Sequence, residues 1–420
     1  MGTKKRIAIA CQGGGTHAAF SWGVLTEILR TKQSWDETSG RGQSFDIVAL
    51  SGTSAGALCA LAAWYGLVPN TADRECGSIA KAIERLDFLW TAFGATNAIE
   101  LFHNQAVASL LTLKSKGMAF PGSSPYDMAG PVGLAGLAML GARQEYLGFP
   151  GLLQALCPDF ARIDWPGVAR ADRRVVAGAI EIFSGNFEVF DSDKTLENLG
   201  LHPNGQNIEQ YDQTRWRMRR PISLEGVAAS GTLPEVLPAQ VIPETRFPTC
   251  VQGKTVTRDA HYWDGLYSQN PPVRDLLDAP EQGAKPDEIW VIRINPQEQY
   301  GYASSMSLEE IKDRENALAG NLALNQELDH ILTVNRWIER HGCDHPPLDN
   351  CKIVMVRTIK MTRATAWGMK YTSKFDRSPE HLNRLCDEGR SVAREWLANW
   401  RQLGEKFASY PNDARYPEAD

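Results

Sequence analysis

No C-x-x-C pair occurs in this 420-residue sequence, although it holds eight cysteines. They stand at 11, 59, 76, 157, 250, 343, 351 and 386, without the spacing of a disulfide framework. A chain this long can be stabilised by its own core, so reduced thiols and a cytoplasmic location are expected. His341, Cys343, His345 and Cys351 surround Pro346-Pro347 in no standard zinc spacing and read as a loop. No apolar run approaches the roughly 20 residues that cross a bilayer. No apolar segment follows Met1-Gly2-Thr3-Lys4-Lys5-Arg6, so a secretory signal is not expected, and Arg6 stands where a myristoylation signal needs Ser or Thr. A basic excess is missing too. The 44 basic and 50 acidic residues leave a net charge of −6, which argues against a nucleic-acid partner. Internal repeats, low-complexity tracts and a clear linker are also absent. With 43% hydrophobic and 22% charged residues, the chain has the composition of an ordered globular protein.

What is present begins with a β-rich run, Arg6-Ile7-Ala8-Ile9-Ala10-Cys11, that stops at Gln12-Gly13-Gly14-Gly15. Helical spacing follows in Phe20, Val24 and Ile28. A second strand, Phe45 to Leu50, runs into Ser51-Gly52-Thr53-Ser54-Ala55-Gly56 and an Ala/Leu-rich helix to about Tyr65. Strand, loop, helix, strand, helix is a βαβ unit, and it makes the fold α/β. Val175–Ile182 and Phe187–Phe190 flank Ser184-Gly185-Asn186 as a hairpin. Glu288–Ile294 and Lys352–Ile359 read as further strands. Ser307-Leu308-Glu309-Glu310 is a capping box that opens a long helix with Ile311, Leu318, Leu322, Leu328, Ile331 and Ile338. Ser378-Pro379 starts a last helix with Leu382, Leu385, Val392, Trp396 and Trp400 on one face. Trp337, Trp396 and Trp400 are expected in the core.

Two other stretches carry expectations. The segment 119–151 is rich in Gly, Pro and Ala, and its apolar part, 128–140, is expected to pack in the core, with a lid over the site as the second reading. Arg215-Trp216-Arg217-Met218-Arg219-Arg220 would put its arginines on one face of a strand. A solvated edge is expected, with contact to anionic lipid as the alternative.

Gly52-Thr53-Ser54-Ala55-Gly56 fits G-x-S-x-G, in which a sharp strand-to-helix turn lifts a serine hydroxyl above the sheet. Small residues at Gly52 and Gly56 let the strained backbone pass, and the Ala55 N–H at the helix start can meet a developing oxyanion. Gly13-Gly14-Gly15 should lie beside it, and successive glycine N–H groups can form an anion nest. A dinucleotide loop is excluded by Ala18, which stands where G-x-G-x-x-G needs its last glycine. A P-loop is excluded by the lack of Gly-Lys-Ser/Thr. An activated serine needs a base. Of the eight histidines, His17 is tied to the glycine loop and His261 lies three residues before Asp264-Gly265, and neither falls in a recognisable late turn. Asp264, at the end of His261-Tyr262-Trp263-Asp264 and followed by Gly265, is the strongest candidate, since burial against Tyr262 and Trp263 would raise its pKa.

Gly13-Gly14-Gly15, Gly52-Thr53-Ser54-Ala55-Gly56 and Asp264-Gly265 with Asn270-Pro271, in this order, resemble the patatin-like phospholipases. Ala228 to Pro234 is similar to the family's small-residue segment before the Asp-Gly strand, and Ser373 to Ser378 to the tail of its bacterial members. The resemblance implies a three-layer α/β/α fold with a mainly parallel central sheet and a helical C-terminal extension. The catalytic core would span 6–276, and 277–420 would pack on it as strand and helices. It implies a Ser–Asp dyad, with Ser54 as nucleophile, Asp264 as base and Gly13, Gly14, Gly15 as oxyanion donors with Ala55. Four positions depart from the family pattern. Gln12 precedes the glycines in place of Asp, His17-Ala18 follow in place of Arg-Gly, and Leu266 replaces a second glycine after Asp-Gly.

The expected activity is lipid acyl hydrolysis, of the phospholipase A or lysophospholipase kind, at a peripheral membrane surface and without metal or organic cofactor. The alternatives are a carboxylesterase on another ester such as a storage polyester, an α/β-hydrolase using His330 or His381, and a catalytically silent lipid-binding regulator.

Overall fold

The structure is a computed structural model that describes residues 4–38, 44–118, 131–193, 217–234, 236–248, 255–278, 282–297, 308–343 and 348–404. Its strands are β1 (Lys5–Cys11), β2 (Phe45–Thr53), β3 (Arg174–Glu181), β4 (Phe187–Asp191), β5 (Arg217–Pro221), β6 (Gln240–Pro248), β7 (Thr255–Asp264), β8 (Glu288–Arg293) and β9 (Met355–Lys360). The helices that matter for the site are α1 (Ala19–Thr38), α2 (Ala55–Leu67), α3 (Ile79–Phe93), α4 (Ala98–Ser115), α5 (Pro131–Met139), α6 (Leu224–Ser230), α7 (Leu308–His341) and α8 (Pro379–Leu403).

Alternation along the strands sets the layers. In β1, Ile7, Ile9 and Cys11 enter one core while Ala8 and Ala10 enter another. Successive side chains of a strand leave on opposite faces, so a run apolar at every position needs cover on both. The same split recurs in β8, where Trp290 and Ile292 join the first core and Ile289 and Val291 the second. Helices α1, α2, α3 and α8 supply Phe20, Leu61, Trp90 and Leu385 over the first face. Leu324, Leu328 and Ile331 of α7 cover the second. The result is a three-layer α/β/α fold.

The sheet order is β5-β4-β3-β2-β1-β8-β9, with β7 also on β3 and β6 on β7. The central run β3-β2-β1-β8-β9 is parallel, and β4 and β7 lie antiparallel to β3. β2 pairs with β3 as far as Thr53 opposite Gly178. β7 takes over the same edge at the next residue, with Asp264 opposite Ala179. The end of β2 and the end of β7 therefore meet head to head.

Strands β8 and β9, from the 277–420 region, continue the same sheet, and α8 runs along α1. A buried carboxylate joins them: Glu288 accepts from Arg357 Nε (2.7 Å), Trp290 Nε1 (2.9 Å) and Trp400 Nε1 (2.8 Å). No helix among the described residues is long and apolar enough to cross a membrane, and no disulfide joins the described cysteines.

Several expectations need correction. Trp337 is half-exposed, because it lies off the face of α7 that carries Leu324, Leu328, Ile331 and Ile338; Ile311 and Leu322 are exposed for the same reason. Arg219 and Arg220 of β5 are neither solvated nor a free cationic face: Arg219 pairs with Asp275 and Asp278, and Arg220 with Glu188 at 2.8 Å. Helix α5 does not enter the core; Met139 and Leu140 are exposed, while Leu134 and Leu137 line a cavity. Ser378 caps α8 by position only, since its hydroxyl makes no cap bond. Ser307, Arg215, Trp216, Cys250, His345 and residues 119–130 lie outside the described residues.

Candidate active site

Ser54 sits between β2 and α2 with φ 56° and ψ −133°, a left-handed conformation that non-glycine residues rarely adopt. The strain is held from two sides. The Ser54 N–H donates to Ser230 Oγ at 3.0 Å, and the Ser230 hydroxyl donates on to the Gly178 carbonyl at 2.6 Å. On the other side the first glycine of the loop is pressed against the elbow. A Cβ on Gly13 would collide with the Thr53 carbonyl and lie 2.8 Å from Ser54 Cβ. Gly56 is constrained likewise, because a Cβ there would run into the Cys11 carbonyl. Gly52 lies beneath Gly56, and Gly265 packs on the Gly178 carbonyl. Ser54 occupies the N-cap of α2 without spending its hydroxyl on a cap bond.

Asp264 is the last residue of β7 and is buried, at 2% exposure. Its N–H donates to the Thr232 carbonyl (2.8 Å), and its Oδ1 accepts the Leu266 N–H (2.8 Å). Helix α6 and the turn after it thus grip both backbones, Ser54 through Ser230 and Asp264 through Thr232. Burial pushes the Asp264 carboxyl up to about 6; hydrogen bonding with the Ser54 hydroxyl, the Leu266 N–H and the charge of Lys374 pull the other way. The source of that burial differs from expectation. Tyr262 is fully buried, but Trp263 lies on the opposite side of the strand and is exposed.

The glycine loop is fastened by residues whose fastening role local pattern did not give. Gln12 Oε1 accepts the N–H groups of Ile294 and Asn295, each at 2.9 Å, and its Nε2 donates to the Gly320 carbonyl and Asn321 Oδ1. The Gly13 N–H donates to Asn270 Oδ1 at 2.6 Å. Gly13 is therefore corrected from donor to structural anchor: its amide is already bonded. Among the described residues, the N–H groups of Gly14, Gly15 and Ala55 have no hydrogen-bond partner.

Ser54, Ala55, Asp264 and the three glycines line one cavity of about 200 Å³. Most of its wall is apolar, including Leu58, Phe93, Leu134, Phe149, Leu152 and Leu237. Such a space suits an alkyl chain with its polar end at the glycine loop. Lys374 reaches the same cavity from the C-terminal region. Its Nζ donates to Asn295 Oδ1 (2.9 Å) and to Asn316 Oδ1. Burial lowers its pKa to about 8, against the pull of Asp313 and Asp264.

His17 Nε2 pairs with Ser373 Oγ at 2.8 Å, and burial holds its pKa well below the usual value. His103 is at the cavity wall, bonded to the Tyr146 hydroxyl at 2.9 Å. His330 is exposed on α7 and His381 packs near His17; neither lines the cavity. No group of three His, Cys, Asp or Glu that could hold a metal occurs among the described residues.

Sequence reasoning placed Ser54, Asp264 and the glycines but missed the roles of Ser230, Asn270, Gln12, Asn295 and Lys374. Ser230, Asn270 and Lys374 lay in stretches already noted for their residue pattern; Asn295 had no local signal. In comparison with known proteins, a family model described as patatin-like phospholipase matches residues 9–277. No curated protein matches the chain.

Proposed function

Because the chain belongs to the patatin-like phospholipase family, a family of lipid hydrolases, we propose that it cleaves acyl esters through Ser54 and Asp264. The observation that carries this reading is a buried carboxyl, raised to about 6, facing a serine hydroxyl on a strained turn.

Asp264 accepts the Ser54 proton as Oγ attacks the ester carbonyl carbon, and the carbonyl π pair moves onto oxygen. The free N–H groups of Gly14, Gly15 and Ala55 receive that oxyanion, each donor worth on the order of 3 kcal/mol. Collapse breaks the bond to the alcohol, which takes its proton from Asp264 and leaves. Water then attacks the acyl-Ser54 carbonyl while giving a proton to Asp264, and the fatty acid departs as that proton returns to Ser54. The pKa of Asp264 suits this role, since a base near neutrality is both deprotonated and basic enough. The apolar wall fits the acyl chain. The exposed Met139 and Leu140 beside the cavity-lining Leu134 and Leu137 support substrate uptake from a membrane surface.

The test is fatty-acid release from phospholipids labelled at one acyl position or the other, with wild type and Ser54→Ala. The proposal expects release by wild type alone. It fails if no ester is turned over, or if the variant matches wild type.

A further inference from the structure

Lys374 lies beyond the family-matched residues 9–277, yet its amine is tied to the glycine loop. Asn295 makes the link: its Oδ1 accepts from Lys374 Nζ at 2.9 Å, while its Nδ2 donates to the Gly13 carbonyl at 3.1 Å. The backbone adds a second link, since the Lys374 carbonyl packs against Gly15, which has φ +58°. Both described partners of the ammonium are neutral amide oxygens. That leaves one N–H unspent among the described residues, on a side chain that lines the cavity.

We propose, building on the Ser54–Asp264 reading above, that Lys374 completes the oxyanion site. Its ammonium supplies a full positive charge beside the Gly14 and Gly15 amides for the oxygen that becomes anionic when Ser54 attacks. A charge in a poorly solvated cavity acts far more strongly than in water. The other basic groups nearby do not serve. His17, the loop's own basic side chain, is kept neutral by burial and bonded to Ser373. Arg377 is held across the Tyr146 and Phe93 rings, with Nε donating to the Phe93 carbonyl and its terminal nitrogen to the Tyr146 carbonyl. The charged or titratable groups that face Lys374 are Asp264, Asp313 and His17.

The test compares wild type with Lys374→Met and Lys374→Gln, using an uncharged short-chain ester, a trifluoromethyl ketone and the matching methyl ketone. The trifluoromethyl ketone adds the Ser54 oxygen, its carbonyl oxygen becomes anionic and the proton passes to Asp264; the methyl ketone only fills the site. The expected result is a kcat loss of about 10- to 100-fold with KM within about twofold. Trifluoromethyl ketone affinity should fall by a like factor, while methyl ketone affinity stays constant. The acid limb of kcat/KM should also move to higher pH, since Lys374 lowers the Asp264 pKa. Unchanged trifluoromethyl ketone affinity overturns the proposal, as does a loss confined to phosphate-bearing substrates, which would make Lys374 a headgroup contact. Circular dichroism melting of both variants separates a folding defect, and Lys374→Gln keeps the side chain polar if Met is not tolerated. Wild-type protein that turns over no ester and ignores the ketone overturns the hydrolase reading itself.

Discussion

Ser54 and Asp264 face each other because one strand measures both positions: β3 pairs Gly178 with Thr53 and its next residue, Ala179, with Asp264. The two residues are 210 apart in sequence, one just after β2 and the other at the end of β7, strands that do not pair with each other. Register on β3 brings them together, so a one-residue slip of β7 would turn the carboxyl to the opposite face.

If Asp264 is the base, as proposed, its raised pKa sets the pH dependence of activity. The base works only when ionised, so kcat/KM should fall as pH drops through about 6. A pH profile on an uncharged ester reads this directly. An acid limb near 4, the value of an exposed carboxylate, would contradict the burial account.

The same shift has the opposite consequence for stability. Above pH 6 the folded protein must hold a buried carboxylate that the unfolded chain holds in water. A rise from 3.8 to about 6 makes this penalty on the order of 3 kcal/mol. Asp264→Asn should therefore melt higher than wild type at pH 7.5 while losing activity, and the gain should vanish below about pH 4, where Asp is protonated in both states. Equal melting temperatures at pH 7.5 would count against it.

Ser230 holds the elbow and is not among the residues that line the cavity. Ser230→Ala leaves the Ser54 N–H without its partner. Stability should fall by roughly 1–2 kcal/mol, and kcat by about tenfold or more as the strained turn relaxes. Chemical denaturation and ester kinetics together check both.

Much of this was legible in the sequence. The periodicities of 6–11 and 45–50 fixed the first strands, and G-x-S-x-G between a strand and a helix fixed the elbow, because each rests on local geometry. What failed to show was long-range. Whether an arginine in 215–220 meets solvent depends on Asp275 and Glu188, far away in sequence. The Gly13 amide reads as an oxyanion donor until Asn270 is seen to take it. Trp337 and Trp400 look alike in helical spacing, and only packing against Glu288 and Trp290 distinguishes the buried one.

The Glu288 centre should dominate the stability of the C-terminal region. Arg357 and Glu288 are both buried, so Arg357→Met removes the buried cation and leaves Glu288 with Lys5 at 2.9 Å and the two indole N–H donors; it should cost about 3 kcal/mol. Lys352→Ala breaks a more exposed pair with Asp287 and should cost under about 1 kcal/mol. Urea titrations of the two variants compare them, and similar losses would contradict the ranking.

The central claim is that the Asp264 carboxylate activates the Ser54 hydroxyl. The most direct measurement is the rate of covalent labelling by a fluorophosphonate, with the site mapped by mass spectrometry, in wild type and Asp264→Asn. A single adduct on Ser54 whose formation slows by at least about 100-fold in the variant is the predicted result. Labelling at another residue, or equal rates in the two proteins, would contradict it.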